Sequence, residues 1–478
     1  MNPTIARPTY DRSRLTPGIV HIGLGNFHRA HEAFYLHRLM QTGEAHDFAI
    51  VGGGVRPPDA AMRDALMAQD GLTTLIELDP AGISAEVTGA MVDFAPVTPD
   101  NAALIAAIAD PRIKIVSLTV TEGGYYVDPS TGAFDAPHAD ILHDAANPMA
   151  PRTAFGAIIA ALRARFAEGH GPVTVQSCDN LQGNGAIVRA TVVGLARLID
   201  EGLAAQIEDR VTFPNAMVDC IVPATGADEF ALAQRFGIND RAPVTHENYR
   251  QWVIEDDFCA GRPAYEAVGV TFTGDVHPFE TMKLRLLNAG HQFIANPGEL
   301  LSCATIADCM ADREVSGFLH TILAREVVPH VAAVPGMTPT AYVDLIAGRF
   351  ENTAIKDTVR RVAFDGSSRH TGFVHPTLRE RLGTGANVEG LALAEALWAR
   401  MCFGTREDGS TIAPNDPHWD ALNKAAIAAR ERPAAWLEQP GVYGDLAGAK
   451  PFAAAFSRWL TALYTLGTRD ALSSYLAP

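Results

Sequence analysis

The sequence predicts an α/β protein: a doubly wound, mostly parallel sheet followed by a mainly α-helical second domain. Three observations lead there. The chain has 478 residues, too many for one ordinary core. Its first half alternates short apolar, β-branched runs with helical stretches, the pattern of buried parallel strands joined by helices. Around Val276–Pro278 the strand signals fade and long helical patterns take over, dividing the chain into domains 1–276 and 277–478.

The elements follow in order. GIVHIG (18–23) is a short buried strand, and 29–40 is helical. FAIVGGGV (48–55) is the second strand, with a helix from about Ala60. A helix over 101–109 leads to IKIVSLTV (113–120), rich in β-branched residues and therefore a strand. Helix 153–168, strand 173–177, helix 185–199 and strand 216–222 complete the first domain. Helices over 281–296, 312–329, 339–349, 390–402, 418–430 and 449–466 make up the second. GSSRHTG (366–372) and PNDP (414–417) mark its loops.

Composition narrows the function. Hydrophobic residues are 47% and charged residues 19%, as in a globular enzyme. The net charge of −17 repels phosphate backbones and anionic lipid, so nucleic acid and membranes are excluded as partners. The N-terminus shows no signal-peptide pattern, and runs such as AALIAAIA from Ala102 are too short to span a bilayer. Cysteines at 178, 220, 259, 303, 309 and 402 contain no CxxC pair and read as reduced thiols of a cytoplasmic protein. Five lysines stand against 33 arginines. Arginine can carry surface charge but cannot release a proton, so each remaining lysine is of interest.

GLGNFH (23–28) follows the first strand and opens a helix, the setting in which a glycine turn holds a dinucleotide pyrophosphate. Gly23 permits the tight turn, and Gly25 lets phosphate approach the backbone. The usual third glycine is replaced by His28. Asp59, just past the second strand, is placed to accept hydrogen bonds from the adenosine ribose and to repel a 2′-phosphate. A helix cap explains Asp59 equally well. His28 and His31 have a ligand-like spacing, yet cofactor contact or helix packing accounts for them better than metal.

ETMKLRLLNAGHQF (280–293) concentrates polar groups in an apolar helix. On a regular α-helix Lys283, Asn288 and His291 fall at roughly 0°, 140° and 80°, all on one side. Burial disfavours the charged ammonium, so a sheltered lysine suits a general base. A snorkelling lysine beside two satisfied core polar groups is the competing reading. No tyrosine has lysine four residues on, and no Cys/His cluster of zinc-site type is evident.

GLGNFHRAH, TVTEGGY, SCDNLQGNG and KLRLLNAGH together resemble the mannitol 2-dehydrogenase family of polyol-specific long-chain dehydrogenases. The likeness runs from about Pro17 to Pro417 and includes MVDCIVPAT (217–225), GRPAYE (261–266), DGSSR (365–369) and WARMCFGT (398–405). The resemblance implies a Rossmann-type first domain, a helical second domain and a site in the cleft between them. It implies NAD as cofactor, catalysis without metal, and a monomer. Lys283 matches the family's catalytic lysine, Asn180 and Asn288 its paired asparagines, and His291 its substrate-orienting histidine. Glu122 matches a glutamate of proton passage. Asp219, Glu280, Arg361 and Arg369 fall at positions of substrate contact or site support. The cofactor set is Gly23, Gly25, Asn26, Phe27, His28, Arg29, Asp59, Thr119, Val120 and Thr121. Arg369 and His370 depart from the family's usual lysine and apolar residue.

The activity expected is oxidation of a sugar alcohol at a secondary carbon, D-mannitol to D-fructose foremost, with arabinitol and sorbitol as further substrates. A hexuronate reductase of the same family is the nearest rival, with Arg369 meeting the carboxylate. A non-catalytic dinucleotide sensor is the rival of another class, against which the polar groups at 280–291 weigh.

Overall fold

The computed structural model describes residues 5–128 and 131–477. They form two compact units, Met1–His277 and Pro278–Pro478.

In the first unit, β1 (Pro17–Ile22), β2 (Ala49–Gly53), β5 (Met91–Phe94), β6 (Ile115–Leu118) and β7 (Thr174–Ser177) form a parallel sheet in the order β5-β2-β1-β6-β7. Alternation along the strands makes it two-sided. Val20, Ile22, Val116 and Leu118 join one apolar cluster with helices Ala102–Ala109, Ala154–Ala167 and Asn184–Ile199. Ile19 and Ile115 join the other, with Leu36, Leu39 and Met40. Each such side chain, fully buried, stabilises the unit by about 1.5–3 kcal/mol. The doubly wound sheet expected from the sequence is therefore present.

Other strands lie outside that sheet. β3 (Thr73–Asp79) and β4 (Gly82–Thr88) form an antiparallel hairpin, extended by β9 (Val244–Glu247). β8 (Ala216–Asp219) was expected to continue to 222 as another strand of the wound sheet. It ends at Asp219 and pairs antiparallel with β10 (Gln251–Glu255), which in turn pairs with β11 (Thr271–Thr273). The Ile221 N–H donates to the Glu247 carboxylate, which takes that residue out of the ladder. The helix expected over 29–40 is two helices, α1 (Asn26–Ala30) and α2 (Glu32–Gln41), because His31 leaves helical geometry with φ −122° and ψ −92°.

The second unit is helical. Helix Glu389–Cys402 is buried almost throughout and packs against Ala289–Leu300 and Lys450–Leu466. Three π-helical turns, Lys283–Asn288, Leu323–Val327 and His370–Val374, interrupt its helices, and the first touches both of the others. No helix among the described residues is long and apolar enough to cross a membrane.

Candidate active site

The glycine turn sits where the strand order reverses: β2 lies on one side of β1 and β6 on the other. Open α/β sheets hold ligands outside the strand ends at such a point. Gly23 follows β1 with φ +100°, and a Cβ there would lie 2.0 Å from the Thr119 carbonyl oxygen. Gly25 is extended, begins α1, and a Cβ there would meet nothing within 4 Å. No side chain caps this helix start. Open space before uncapped N–H groups at the switch point fits a pyrophosphate.

The residues of the turn brace it. Asn26 Nδ2 donates to the Pro223 carbonyl and to Thr225 Oγ1, both at 2.9 Å, and its Oδ1 accepts from Arg29 Nη2 at 2.7 Å. Arg29 is buried and also donates to the Ala242 carbonyl. Phe27 stacks on His31 with ring centroids 4.8 Å apart. His31 packs on Trp252, and its Nε2 lies 3.0 Å from the Gln251 carbonyl. His28 turns inward instead of facing the open side.

His28 belongs to a buried network that sequence reasoning missed. Glu32 Oε2 lies 2.8 Å from His21 Nδ1, 3.1 Å from His28 Nδ1 and 2.9 Å from Ser117 Oγ. The two imidazoles stack at 3.4 Å, and His21 Nε2 reaches Thr119 Oγ1 at 2.9 Å. The signals were a histidine inside an apolar strand and a glutamate four residues after His28. His21, His28 and Glu32 are metal-ligand types with donor atoms within 4.8 Å of one another. Glu32 is held by His21 and Ser117, whereas His28 Nδ1 is buried and makes no hydrogen bond. Burial opposes ionisation of Glu32, but His21 and His28 outweigh it and hold its carboxyl well below the ordinary range.

Burial, with His21 adding to it, drives His28 down from 6.5 to about 3. Burial likewise lowers His31 from 6.5 to about 4 and His246 from 6.5 to about 3. On unfolding these rings regain their ordinary value and take up protons, so the stability they contribute is complete above pH 6.5 and lost as pH falls toward about 4 for His31 and about 3 for His28 and His246. Each group withdraws about 1.4 kcal/mol per pH unit within that window. The thermal midpoint should fall steeply between about pH 6.5 and pH 4.5. A midpoint that stays flat across this interval contradicts the assignment.

Thr119 Oγ1 donates to the Gly23 carbonyl, tying β6 to the turn. The Val120 N–H and the Tyr125 hydroxyl both donate to Asp179 Oδ2, at 2.8 and 2.6 Å. This brings the loop of Thr119, Val120 and Thr121 beside Asn180, which directly follows Asp179 and is exposed. Thr121 takes a positive φ of 66°. The Glu122 side chain lies outside the described residues. Asp219 is buried at the end of β8.

Asp59 occupies the third position of helix α3 (Pro57–Met67), so the cap position expected for it belongs to Arg56. Its Oδ2 accepts from the N–H groups of Val55 at 3.0 Å and Arg56 at 2.9 Å. It serves the helix start by reaching back, and it does so just past the end of β2.

In the second unit, Lys283 is buried, only 7% exposed, and opens the π-helical turn that ends at Asn288. On the regular helix assumed from sequence these two diverge by roughly 140°; the i→i+5 bonding of a π-turn stacks residues five apart. The turn thus gathers Lys283 and Asn288 more closely than periodicity indicated. His291 stacks on Phe350 at 4.3 Å, and Glu280 is buried one helical turn before Lys283. Arg369 donates to the Val362 carbonyl at 2.5 Å. Arg361 pairs with Asp357 through two bonds of 2.7 Å. His370 is a core residue: its Nδ1 lies 2.8 Å from Glu395, its Nε2 2.9 Å from Asn296 Nδ2, and its ring stacks on Trp398.

Models of the mannitol dehydrogenase Rossmann domain and the mannitol dehydrogenase C-terminal domain match residues 17–267 and 275–464. The chain belongs to the mannitol dehydrogenase family. Within that family it is 56% identical over 477 residues to the mannitol 2-dehydrogenase of Cereibacter sphaeroides, covering 100% of both chains. The Phaeosphaeria nodorum mannitol 2-dehydrogenase is 39% identical over 98% of this chain and 83% of its own. Among solved structures, Pseudomonas fluorescens mannitol 2-dehydrogenase in ternary complex with NAD and D-mannitol superposes with a TM-score of 0.86 at 39% identity, covering 99% of this chain and 97% of the other. A substrate-free D-sorbitol dehydrogenase superposes at 0.92 with 36% identity, covering 98% of both.

Proposed function

We infer that this member of the family catalyses NAD-dependent oxidation of a sugar alcohol at a secondary carbon, D-mannitol to D-fructose foremost. The observation that carries the catalytic assignment is the π-helical turn, which sets a buried lysine and an asparagine together on one rigid element. Lys283 Nζ takes the proton of the reacting hydroxyl. Asn180 and Asn288 donate side-chain N–H bonds to the oxygen as negative charge develops on it, each contributing roughly 3 kcal/mol. His291, Asp219, Glu280, Arg361 and Arg369 hold neighbouring hydroxyls or the groups that do, fixing which carbon reacts. Glu122 passes the proton onward to water. NAD would supply the acceptor for the hydride that leaves the carbon bearing that hydroxyl as the carbonyl forms. The turn at Gly23–Arg29, the loop Thr119–Thr121 and Asp59 hold NAD. The same reading takes the protein as a cytoplasmic monomer; its six unpaired cysteines suit a reducing compartment.

A substrate panel tests this reading. NAD reduction with D-mannitol, D-arabinitol and D-sorbitol is compared with NADH oxidation by fructuronate and tagaturonate, with and without EDTA. D-mannitol should give the highest kcat/KM, unchanged by the chelator. Faster hexuronate reduction would overturn the substrate, and activity lost to EDTA and restored by zinc would overturn the metal-free mechanism.

Asp59→Ala probes the cofactor side. Removing the carboxylate should raise the ratio of NADP to NAD kcat/KM at least about tenfold, or ~1.4 kcal/mol. Loss of its bonds to Val55 and Arg56 should cost about 1 kcal/mol of stability. A stability loss with an unchanged ratio would leave Asp59 a helix-start residue alone.

A further inference from the structure

Helix Ala289–Leu300 ends in a short loop before helix Ile306–Ala311; Cys303 lies in that loop and Cys309 in the second helix. The Cys303 N–H donates to the Gly298 carbonyl at 2.9 Å, folding the loop back on the helix end. Gly298 leaves room for a thiol: a Cβ there would lie 2.2 Å from Cys309 Sγ and 3.7 Å from Cys303 Cβ. Both cysteines therefore line one spot on the helix. Cys309 is buried, whereas Cys303 is partly open beside the exposed Ser302 and Ala304.

We propose that Cys303 and Cys309 form a peroxide-sensitive dithiol that closes reversibly to a disulfide. Cys303 is the attacking group. The neighbouring Cys309 lowers its thiol from the ordinary value, against burial, Asp312 and Asp308, with Arg469 assisting. A thiolate is the nucleophile that peroxide oxidises, and exposure selects which thiol reacts first. Its sulfur attacks one peroxide oxygen; the O–O bond breaks, hydroxide leaves and is protonated, and Cys303 becomes a sulfenic acid. Cys309 sulfur then attacks the Cys303 sulfur, the S–S bond forms, the S–O bond breaks, and a second water departs with the Cys309 proton. Two thiols are oxidised and one peroxide is reduced to two waters. A half-open attacking thiol beside a buried resolving thiol is the arrangement of redox-responsive pairs in reducing compartments.

The test uses the full-length protein and hydrogen peroxide. Trypsin releases Leu286–Arg313, whose only cysteines are Cys303 and Cys309, since no lysine or arginine lies between Arg285 and Arg313. With a few equivalents of peroxide, the count of free thiols should fall from six to four. That peptide should become about 2 Da lighter, and dithiothreitol should restore both readings. Cys303→Ser should keep all five of its thiols under the same treatment. The peptide mapping of the unaltered protein stands even if that variant folds poorly. An unchanged thiol count, oxidation confined to other cysteines, or Cys303 passing to sulfinic acid while Cys309 stays reduced would each overturn the proposal.

Discussion

Lys283→Ala should lower kcat for D-mannitol oxidation by about 10³-fold or more while NADH still binds. Removing a positioned general base forfeits roughly 10²–10⁴ in rate. Here the loss should lie at the upper end, because water cannot readily replace an amine that is 7% exposed. The affected step is proton removal from the hydroxyl, so KM for the polyol should move much less than kcat. NADH affinity, read by fluorescence, should stay within about twofold of the unaltered protein, since the glycine turn belongs to the other unit. Lys283→Arg separates size and polarity from chemistry: arginine is a permanent cation and cannot give up its proton. It should be as inactive as the alanine variant. Activity within about tenfold of the original in either variant would remove Lys283 from this role. The cost of leaving buried partner groups unpaired around a deleted amine makes a thermal midpoint the necessary control.

How far the sequence reached can be judged residue by residue. The wound sheet was legible because buried parallel strands are uniformly apolar, and IKIVSLTV could be little else. The glycine turn was legible because its neighbours, a strand before and a helix after, were both visible. The hairpin of β3 and β4 was missed although TTLIELDPAGISAEVT alternates around a turn, because helix–strand alternation on both sides dominated the reading. The π-turn at Lys283 was invisible in principle: periodicity assumes 3.6 residues per turn, and KLRLLN carries no mark of the wider register. Burial of His21 and Glu32 was hidden for a different reason. Their pairing joins β1 to α2 across the break at His31, so the histidine in an apolar strand and the glutamate beyond it, each visible alone, did not point to each other. His370 read as a departure at a substrate position; Glu395, Asn296 and Trp398, which account for it, lie far away in sequence.

Gly23→Ala and Gly25→Ala, two residues apart, should fail in different ways. At Gly23 the backbone has φ +100°, a region an alanine enters only at a cost of roughly 1–2 kcal/mol. The new methyl would also stand 2.0 Å from the Thr119 carbonyl oxygen and 2.8 Å from its carbon. Neither atom can retreat freely, since β6 is hydrogen-bonded to β1 on one side and β7 on the other. Forced overpacking of this kind costs about 1–3 kcal/mol more. At roughly 2–4 °C per kcal/mol, the thermal midpoint should drop by about 4–20 °C, and NADH affinity should fall with it as the turn is displaced. Gly25 has φ −70°, ordinary for alanine, and its methyl would touch nothing within 4 Å. Stability should therefore stay within about 0.5 kcal/mol, yet the methyl would occupy the open side from which a pyrophosphate approaches the uncapped helix start. NADH affinity should fall at least about tenfold with the midpoint unmoved. The contrast isolates binding from folding. A Gly25→Ala protein that binds NADH normally would take the pyrophosphate away from this turn, even if Gly23→Ala behaved as described.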